Sequence, residues 1–269
     1  MKGRVLLAGG SDPSGGAGIQ ADIKTVTALG GYAAAAVTAL TAQDTCGVRR
    51  IVELEPDFVA LQLQLVLDDI GADCVKCGML PSAGVIEAVA SVLEKAEPRL
   101  PLVLDPVLRA TSGEALADPE ALETLAGRMV PLASVLTPNL DEAARLLGRE
   151  LRDLDGMRSA ARDLLGLGCS AVLLKGGHLE GDAVCDLLVW EAGEQLFSDP
   201  RIHTRSTHGT GCTLASAIAC GLAQGLELVA SAARARTYLR EAIRRAPGYG
   251  RGRGPVDHTV SLAASRPAC

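Results

Sequence analysis

The sequence predicts a three-layer α/β/α fold, in which helices cover both faces of a mostly parallel central sheet. Short apolar segments of strand length alternate along the chain with longer segments of helical periodicity, and this alternation is typical of parallel sheets with crossover helices. No linker-rich boundary and no internal repeat interrupts the 269 residues, so we expect a single domain over residues 1–269. Glycine and polar residues recur where the strands end, which is where ligands bind to such sheets.

The first half of the chain predicts five strands and three helices. The helix after Gly9–Gly18 carries Ile19, Ile23 and Val26 near helical spacing, and the next helix follows Pro56, because proline is favoured at helix starts. The predicted strands are Arg4–Ala8, Tyr32–Leu40, Val48–Leu54, Cys74–Met79 and Leu102–Leu104. The predicted helices are Ala17–Leu29, Asp57–Ile70 and Ala83–Ala96.

The second half continues the alternation and adds one hairpin. Two apolar strands around Ala192-Gly193 indicate the hairpin, because this dipeptide allows a tight turn. The predicted strands are Ser134–Leu136, Ala171–Leu174, Val184–Trp190 and Gln195–Phe197. The predicted helices are Pro119–Val130, Leu140–Leu147, Met157–Leu167, Cys212–Gln224 and Leu228–Ala246.

The composition argues against several classes of function. A net charge of -6 with scattered basic residues, and an aromatic content of 2%, disfavour a nucleic-acid-binding surface. The chain shows no secretory signal and no apolar segment long enough to cross a membrane, so we expect a cytoplasmic protein that binds no membrane. The eight cysteines are therefore expected to be reduced, and Cys74 and Cys77 to be small core residues of a strand.

The stretch Thr204–Thr213, T-R-S-T-H-G-T-G-C-T, carries the strongest chemical signature. Gly209 and Gly211 permit a tight turn, so the amides from Gly209 through Thr210 and Gly211 to Cys212 would point outward at the start of a helix. These N–H groups and the helix dipole favour a bound anion. A thiol at this point is expected to lose its proton more easily, which makes Cys212 a candidate base in phosphoryl transfer. The alternative is a glycine-rich turn with an inert buried cysteine.

Two polar side chains are candidate substrate ligands. Gln43 follows an almost wholly apolar strand, and its amide both donates and accepts, which suits a heteroaromatic ring that carries a nitrogen acceptor beside an amino group. Its alternative is an exposed glutamine at the end of a strand. Asp22 lies one turn into a helix and would accept a hydrogen bond from a substrate hydroxyl or amine. Its alternative is a carboxylate that only interacts with the helix dipole.

A further group of side chains suits a metal and phosphates. Asn139 and Glu142 share one helical face and would hold a hydrated Mg²⁺, although the same spacing is that of a capping box. Asp105 follows a strand and is a second candidate near the metal or the phosphates. Lys175 ends a strand in front of two glycines, where its ammonium group would reach a phosphate.

Two glycine-rich segments have weaker signals. Gly9–Gly18 joins a strand to a helix but matches neither the P-loop nor a clean dinucleotide-binding motif. The segment Gly250–His258 contains too much glycine for a helix, so we expect it to wrap over the surface. Its two arginines indicate either contact with an anion or a solvated tail.

Taken together, these stretches resemble the bacterial hydroxymethylpyrimidine kinase/phosphomethylpyrimidine kinase family of thiamine biosynthesis, which belongs to the ribokinase-like superfamily. The resemblance spans nearly the whole chain, and its strength comes from the order and number of the motifs. The motifs are A-G-G-S-D-P-S-G-G-A-G-I-Q-A-D-I-K (Ala8–Lys24), T-A-L-T-A-Q-D-T (Thr38–Thr45), K-C-G-M-L (Lys76–Leu80), L-D-P-V (Leu104–Val107), T-P-N-L-D-E-A (Thr137–Ala143), L-K-G-G-H (Leu174–His178), T-H-G-T-G-C-T (Thr207–Thr213) and G-P-V-D-H (Gly254–His258). The turn with Cys212 is informative, because sugar kinases of the superfamily carry aspartate at this position.

The resemblance implies a homodimeric kinase of ribokinase-like fold that uses ATP and Mg²⁺. Its implied reaction converts 4-amino-5-hydroxymethyl-2-methylpyrimidine into the monophosphate and then into the diphosphate. In this reading Gln43 binds the pyrimidine, in a pocket that Gly10, Asp22, Met79 and Val107 line.

The resemblance also implies roles in phosphoryl transfer. Lys175 and the Gly209–Cys212 turn, with Thr210 and Gly211, would receive the migrating phosphoryl group, and Cys212 would act as base. The implied nucleotide-binding residues are Lys175, Asn139, Thr204, His208 and Thr210. The implied metal-binding residues are Asp105 and Glu142.

Two positions depart from the family pattern, and two other functions stay open. Arg205-Ser206 stands where the family usually has Lys-Asn, and Thr111 stands where it often has lysine. The alternative within the same class is a pyridoxal kinase, whose substrate is also a hydroxymethyl heteroaromatic compound. The alternative from another class is a noncatalytic nucleotide-binding protein.

Overall fold

A nine-stranded sheet forms the centre of the protein. The structure, a computed structural model, describes residues 1–108, 119–151, 153–177 and 181–260. The strands are β1 Arg4–Ser11, β2 Tyr32–Asp44, β3 Gly47–Glu53, β4 Cys74–Cys77, β5 Leu102–Leu104, β6 Val135–Leu136, β7 Ala171–Lys175, β8 Ala183–Trp190 and β9 Gly193–Pro200. Their spatial order is β3-β2-β1-β4-β5-β6-β7-β8-β9.

The pairing is parallel in the middle of the sheet and antiparallel at its two edges. Strands β2, β1, β4, β5, β6 and β7 pair in parallel, with Arg4 opposite Tyr32 and Val5 opposite Cys74. Strand β3 returns antiparallel to β2, and β8 and β9 form an antiparallel hairpin beside β7. The mostly parallel sheet that the sequence predicts is therefore confirmed.

Helices cover both faces of this sheet, as predicted. They are α1 Gly18–Ala28, α2 Pro56–Asp69, α3 Ala83–Glu94, α4 Pro119–Thr124, α5 Leu140–Leu147, α6 Leu154–Leu165, α7 Thr210–Ala223 and α8 Leu228–Arg244. On one face Leu6 and Ala8 of β1 pack in a core with α2 to α6, and on the other Val5 and Leu7 pack with α1, α7 and α8. Because both faces are covered, β1 is a continuous apolar run.

Several predicted elements have other bounds in the structure; α6, for example, begins at Leu154 and not at Met157, and β9 extends over Gly193–Pro200. The prediction of one α-helix over Pro119–Val130 is wrong: α4 ends at Thr124, and a π-helical turn, Leu125–Met129, and a 3₁₀ turn, Val130–Leu132, follow. Pro131 has no N–H for the helical ladder and its ring crowds the preceding turn, so a regular helix cannot continue there. Strand β2 is longer than predicted, because residues 41–44 pair with β3, and Gln43 therefore lies within the strand.

No helix in the described part of the chain combines the length and the apolar character needed to cross a membrane.

Candidate active site

The carboxyl ends of the parallel strands open into one cavity of about 1270 Å³. Strand β1 ends beside it, and the segments that follow β4, β5 and β6 line it together with the end of β7. Every site residue nominated from the sequence lines this cavity: Gly10, Asp22, Gln43, Met79, Asp105, Val107, Asn139, Glu142, Lys175, Thr204, His208, Gly209, Thr210, Gly211 and Cys212. Their roles stay predictions, but their convergence on one place is a property of the fold.

The turn before α7 packs directly against the loop that follows β1. Gly209 is the N-cap of α7 and has a φ of 75°, a left-handed conformation that favours glycine. A Cβ atom at this position would collide with the carbonyl oxygen of Gly16. Among the described residues, the amides of Gly211 and Cys212 make no backbone hydrogen bond outside the helix. These two unpaired N–H groups are therefore free to donate hydrogen bonds to an anion.

Asp12 holds the β1–α1 loop against this turn. Its carboxylate accepts hydrogen bonds from the amides of Ser14 and Ala17 at 2.8 Å each, and it lies 2.8 Å from Nε2 of His208. Burial opposes the charged form, but the hydrogen bonds from His208, Ser14 and Ala17 outweigh it and lower the pKa of Asp12 to about 2. The carboxylate therefore fixes His208, and with it the start of the turn.

Lys175 lies between two carboxylates at the end of β7. Its Nζ is 2.9 Å from Oδ1 of Asp105 and 3.9 Å from Oε2 of Glu142. Burial disfavours the ammonium form, but the two carboxylates outweigh this effect and raise the pKa of Lys175. A Cβ atom on Gly211 would lie 3.3 Å from both Nζ of Lys175 and Oδ2 of Asp105. The cation is thus adjacent to the start of α7.

Asn139 and Glu142 form a capping box, which the sequence analysis gave as the alternative to a metal site. The Asn139 amide donates to Oε2 of Glu142 at 2.7 Å, and the Glu142 amide donates to Oδ1 of Asn139 at 2.9 Å. The Asn139 side chain is therefore already bound within α5. Burial raises the pKa of Glu142 to about 7, and Asp105 adds to this effect. A nearby cation would stabilise the charged form of this buried carboxylate.

The carboxylates beside Lys175 fit a magnesium ion. Among the described residues, Oδ2 of Asp105 and Oε1 of Glu142 accept no hydrogen bond, and both side chains line the cavity. No group of three or more His, Cys, Asp or Glu side chains suited to a metal occurs in the described ranges. Mg²⁺ at phosphate sites takes only one or two carboxylates and completes its shell with phosphate and water, so two are sufficient.

The thiol of Cys212 behaves differently from the prediction. The expectation that it loses its proton more easily is wrong, because burial raises the pKa of Cys212 to about 12. Lys76 lowers this pKa, whereas Asp22 and Asp105 raise it further. Burial, with a smaller contribution from the two carboxylates, therefore outweighs the favourable position at the helix start, and the thiol of the free protein is protonated at neutral pH.

Asp22 is fully buried and already has partners. Its Oδ2 accepts from Nζ of Lys76 at 2.8 Å, and its Oδ1 accepts from Oγ of Ser216 at 2.7 Å. Burial raises the pKa of Asp22, and the hydrogen bonds from Lys76 and Ser216 oppose this effect. Burial also disfavours the ammonium form of Lys76, but the carboxylates of Asp22 and Asp105 raise its pKa. Asp22 therefore anchors α1 to β4 and α7 at the floor of the cavity.

Gly10 and Gln43 of the predicted pyrimidine pocket lie on β1 and β2, whereas Asn139 follows β6, on the other side of β4 and β5 in the sheet. A Cβ atom on Gly10 would lie 2.9 Å from the sulfur of Met79, so the two residues form adjoining walls. The Met79 carbonyl accepts a hydrogen bond from Thr38 at 2.7 Å, which fixes its position. The side-chain amide of Gln43 lines the cavity and makes no hydrogen bond to any described residue. A ring in this pocket would thus meet an unoccupied amide.

The sequence analysis gave no role to several side chains of the site, and the structure does not describe one of the positions that it discussed. It quoted Lys76 and Asp12 within motifs but gave them no role. It also missed Asp186, which accepts from the Gly176 amide and from Arg236, at 3.0 Å each, and so fixes the backbone after Lys175. Thr111, one of the two departures from the family pattern, lies outside the described residues.

The comparisons with known proteins agree with this geometry. The family model described as phosphomethylpyrimidine kinase matches residues 12–257. The chain belongs to this family. It is 47% identical over 256 residues to the hydroxymethylpyrimidine/phosphomethylpyrimidine kinase of Salmonella typhimurium, a match that covers 94% of this chain and 96% of the relative.

Two further relatives differ in length or in name. The chain is 51% identical over 261 residues to the thiamine biosynthesis bifunctional protein of Geobacter sulfurreducens; it matches over 97% of its own length but spans only 53% of that protein. The solved structure of the Staphylococcus aureus pyridoxal kinase in complex with ADP is similar with a TM-score of 0.90 and 32% identity, covering 98% of this chain and 96% of that one. The family and its ribokinase-like fold are thereby confirmed.

Proposed function

We propose that the protein is an ATP-dependent kinase that phosphorylates 4-amino-5-hydroxymethyl-2-methylpyrimidine and then phosphorylates the monophosphate to the diphosphate. The observation that carries this proposal is the position of Gly211 and Cys212, whose free amides lie beside Lys175 and open into the cavity that Gln43 also lines. Membership of the family and the names of its relatives support the same reaction.

Phosphoryl transfer needs mainly alignment and charge stabilisation, because its transition state is loose. The amides at the start of α7 and the ammonium of Lys175 would stabilise charge on the migrating group. Asp105 and Glu142 would hold Mg²⁺, which would neutralise phosphate charge when bound. Asn139, Thr204, His208 and Thr210 line the same cavity and would contact the nucleotide.

Cys212 would act on the acceptor in the first reaction. Its pKa of about 12 is that of the free protein. A protonated thiol is a weak base, so its contribution would come only when bound substrate and nucleotide change its surroundings. A base contributes about 10²–10⁴-fold, less than the charge stabilisation by the turn and the metal.

The second candidate is a pyridoxal kinase. It is favoured by the similarity to the pyridoxal kinase of Staphylococcus aureus, whose TM-score is 0.90. Its substrate also carries a hydroxymethyl group on a heteroaromatic ring, and the same pocket would accept it.

An ADP-formation assay with the pyrimidine alcohol, its monophosphate and pyridoxal tests these candidates together. The proposed function predicts ADP formation that depends on each pyrimidine substrate and on Mg²⁺. Activity with pyridoxal alone would replace it with the second candidate, and no activity with any acceptor would favour a noncatalytic nucleotide-binding protein.

We also propose that the protein is a homodimer. Leu40 and Val52 face each other on β2 and β3 and are 48% and 45% exposed. On α2, Phe58, Leu61 and Leu65 are more than half exposed at helical spacing.

A second copy would cover exposed apolar side chains of this kind. Leu61→Glu with Leu65→Glu should halve the mass measured by light scattering, whereas an unchanged mass would exclude these side chains as the contact. The cytoplasmic location and the lack of nucleic-acid and membrane partners stay predictions.

A further inference from the structure

The arginine segment near the C-terminus is part of the cavity wall. The sequence indicated that residues 250–258 wrap over the surface, but residues 251–253 line the cavity, and Val256 and His258 are buried. The side chains of Arg251 and Arg253 are exposed. We call residues 250–254 the arginine strap.

Backbone contacts fix the strap in place. The Gly252 amide donates to Oγ1 of Thr45 at 3.1 Å, and the Arg253 amide donates to the Thr45 carbonyl at 2.8 Å. At its other end, the Gly254 carbonyl accepts from the His208 amide at 3.0 Å. A Cβ atom on Gly252 would collide with the Thr45 carbonyl, so the approach requires glycine between the two arginines. The strap therefore connects Thr45, two residues after Gln43, to the turn before α7.

Several cations that line the cavity are already paired with carboxylates. Lys76 is paired with Asp22, Lys175 with Asp105, and Arg236 with Asp186 and Asp199. Arg253 has no hydrogen bond or ion pair from its side chain to any described residue. Arg251 interacts electrostatically with Asp44, whose carboxylate also pairs with Arg49 at 3.6 Å. Arg145 and Arg205 also line the cavity, on other segments. At the strap, next to Thr45, the available positive charge is that of Arg253, with a smaller share from Arg251.

The two acceptors of the proposed reactions differ in charge. The alcohol is neutral, whereas the monophosphate brings nearly two negative charges into a cavity that also receives the phosphates of ATP. Only the second reaction therefore needs a further cation at the acceptor end. Arginine suits this task, because its planar group binds phosphate oxygens bidentately.

We propose that the arginine strap is an anion subsite, in which Arg253, assisted by Arg251, binds the phosphate of the phosphorylated pyrimidine. This proposal rests on the proposed function. It assigns the strap to the second reaction, while the turn before α7 and Lys175 serve both.

The test measures the two half-reactions separately in the full-length protein. The variants are Arg253→Gln, the double variant Arg251→Gln/Arg253→Gln and the conservative Arg253→Lys. The control is Arg244→Gln, which removes an exposed arginine of α8 that pairs with Glu241 outside the cavity. Thermal unfolding verifies that each variant is folded.

The KM for the monophosphate should rise about tenfold in Arg253→Gln and further in the double variant, because charge-assisted hydrogen bonds are lost. The kcat/KM for the alcohol and the KM for ATP should stay within about twofold, as in the control. Arg253→Lys should restore part of the affinity, and added salt should raise the wild-type KM for the monophosphate more steeply than that for the alcohol.

Three outcomes would overturn the subsite. An unchanged KM for the monophosphate in the double variant would show that the strap binds no acceptor phosphate. An equal rise in the KM for ATP in both reactions would assign the arginines to the nucleotide. A wild-type protein that phosphorylates neither pyrimidine acceptor would remove the proposed function and the subsite together, whereas an active wild type with an insensitive double variant removes the subsite alone.

Discussion

Lys76 and Asp22 form an ion pair of 2.8 Å at the floor of the cavity, and their side chains are 1% and 0% exposed. Removal of one partner leaves an uncompensated buried charge, which destabilises a protein by about 3–5 kcal/mol. We therefore expect Lys76→Met to lower the free energy of unfolding by roughly this amount in urea denaturation. The double variant Lys76→Met/Asp22→Asn should recover a large part of the loss.

The matched control for this pair is Lys95→Met, at the exposed C-cap of α3, which should leave the stability nearly unchanged. Equal stability of Lys76→Met and the wild type would contradict an ionised pair.

Gln43→Ala should weaken pyrimidine binding and leave ATP binding nearly unchanged. The Gln43 amide is unoccupied in the described structure, and a neutral hydrogen bond contributes about 0.5–1.5 kcal/mol. The dissociation constant from calorimetry should therefore rise by roughly two- to tenfold. Gln195→Ala on the exposed edge strand β9 is the control. Unchanged pyrimidine affinity in Gln43→Ala would remove Gln43 from the pocket.

Lys175→Ala should lower turnover more than it weakens binding of the alcohol. Its ammonium group lies beside the free amides of the α7 turn, where charge develops in the transition state. Steady-state kinetics with the alcohol should show a lower kcat with a nearly constant KM, and Lys95→Ala should show neither change. A large rise in KM with kcat intact would instead place Lys175 in the pyrimidine pocket.

Cys212→Ala should slow the alcohol reaction more than the monophosphate reaction. Only the alcohol needs a base, because the monophosphate is already largely ionised at neutral pH. Gly211→Val should impair both reactions, since its side chain would crowd Lys175 and Asp105 beside the free amides. Both half-reactions of both variants are measured across pH. Equal and severe loss of both reactions in a folded Cys212→Ala protein would indicate that the thiol shapes the turn and is not a base.

Asp12→Asn should remove part of the stability that the wild type has above pH 4. The folded protein lowers the pKa of Asp12 to about 2 from an ordinary value of 3.8. A lowered pKa stabilises the fold above the ordinary value, and this stability is lost as the pH falls through the folded value. The difference in unfolding free energy should thus be roughly 2 kcal/mol at pH 6. It should shrink as the pH falls from 4 toward 2. A difference independent of pH would assign the loss to packing.

Local patterns account for most of the fold and for the residues that line the cavity. The α5 helix has the predicted bounds, Leu140–Leu147, because Asn139 and Glu142 determine its start and Gly148 ends it in a left-handed conformation. Likewise, strand ends in a parallel sheet share one edge, so the convergence of Asp105 and Lys175 follows from the alternation of elements.

Contacts between residues that are far apart in sequence could not be predicted from local patterns. Lys76 stands between cysteines in a four-residue strand, and nothing near it in sequence identifies Asp22, 54 residues away, as its partner. The state of the Cys212 thiol depends on its burial and on three charged groups from other segments, whereas the sequence showed only its position at a helix start. The place of the strap depends on its contact with Thr45, 207 residues away.

The contact between Gly209 and Gly16 joins a segment that the ribosome synthesises early to one that it synthesises much later. While residues 1–200 emerge, every strand of the sheet is available, but α7 and α8 are still absent, so the face of β1 that carries Val5 and Leu7 has only α1 as cover. Exposed apolar surface on an incomplete sheet promotes aggregation. The nascent chain should therefore depend on chaperones until its last two helices dock, and the anion-binding turn is completed in that same late step.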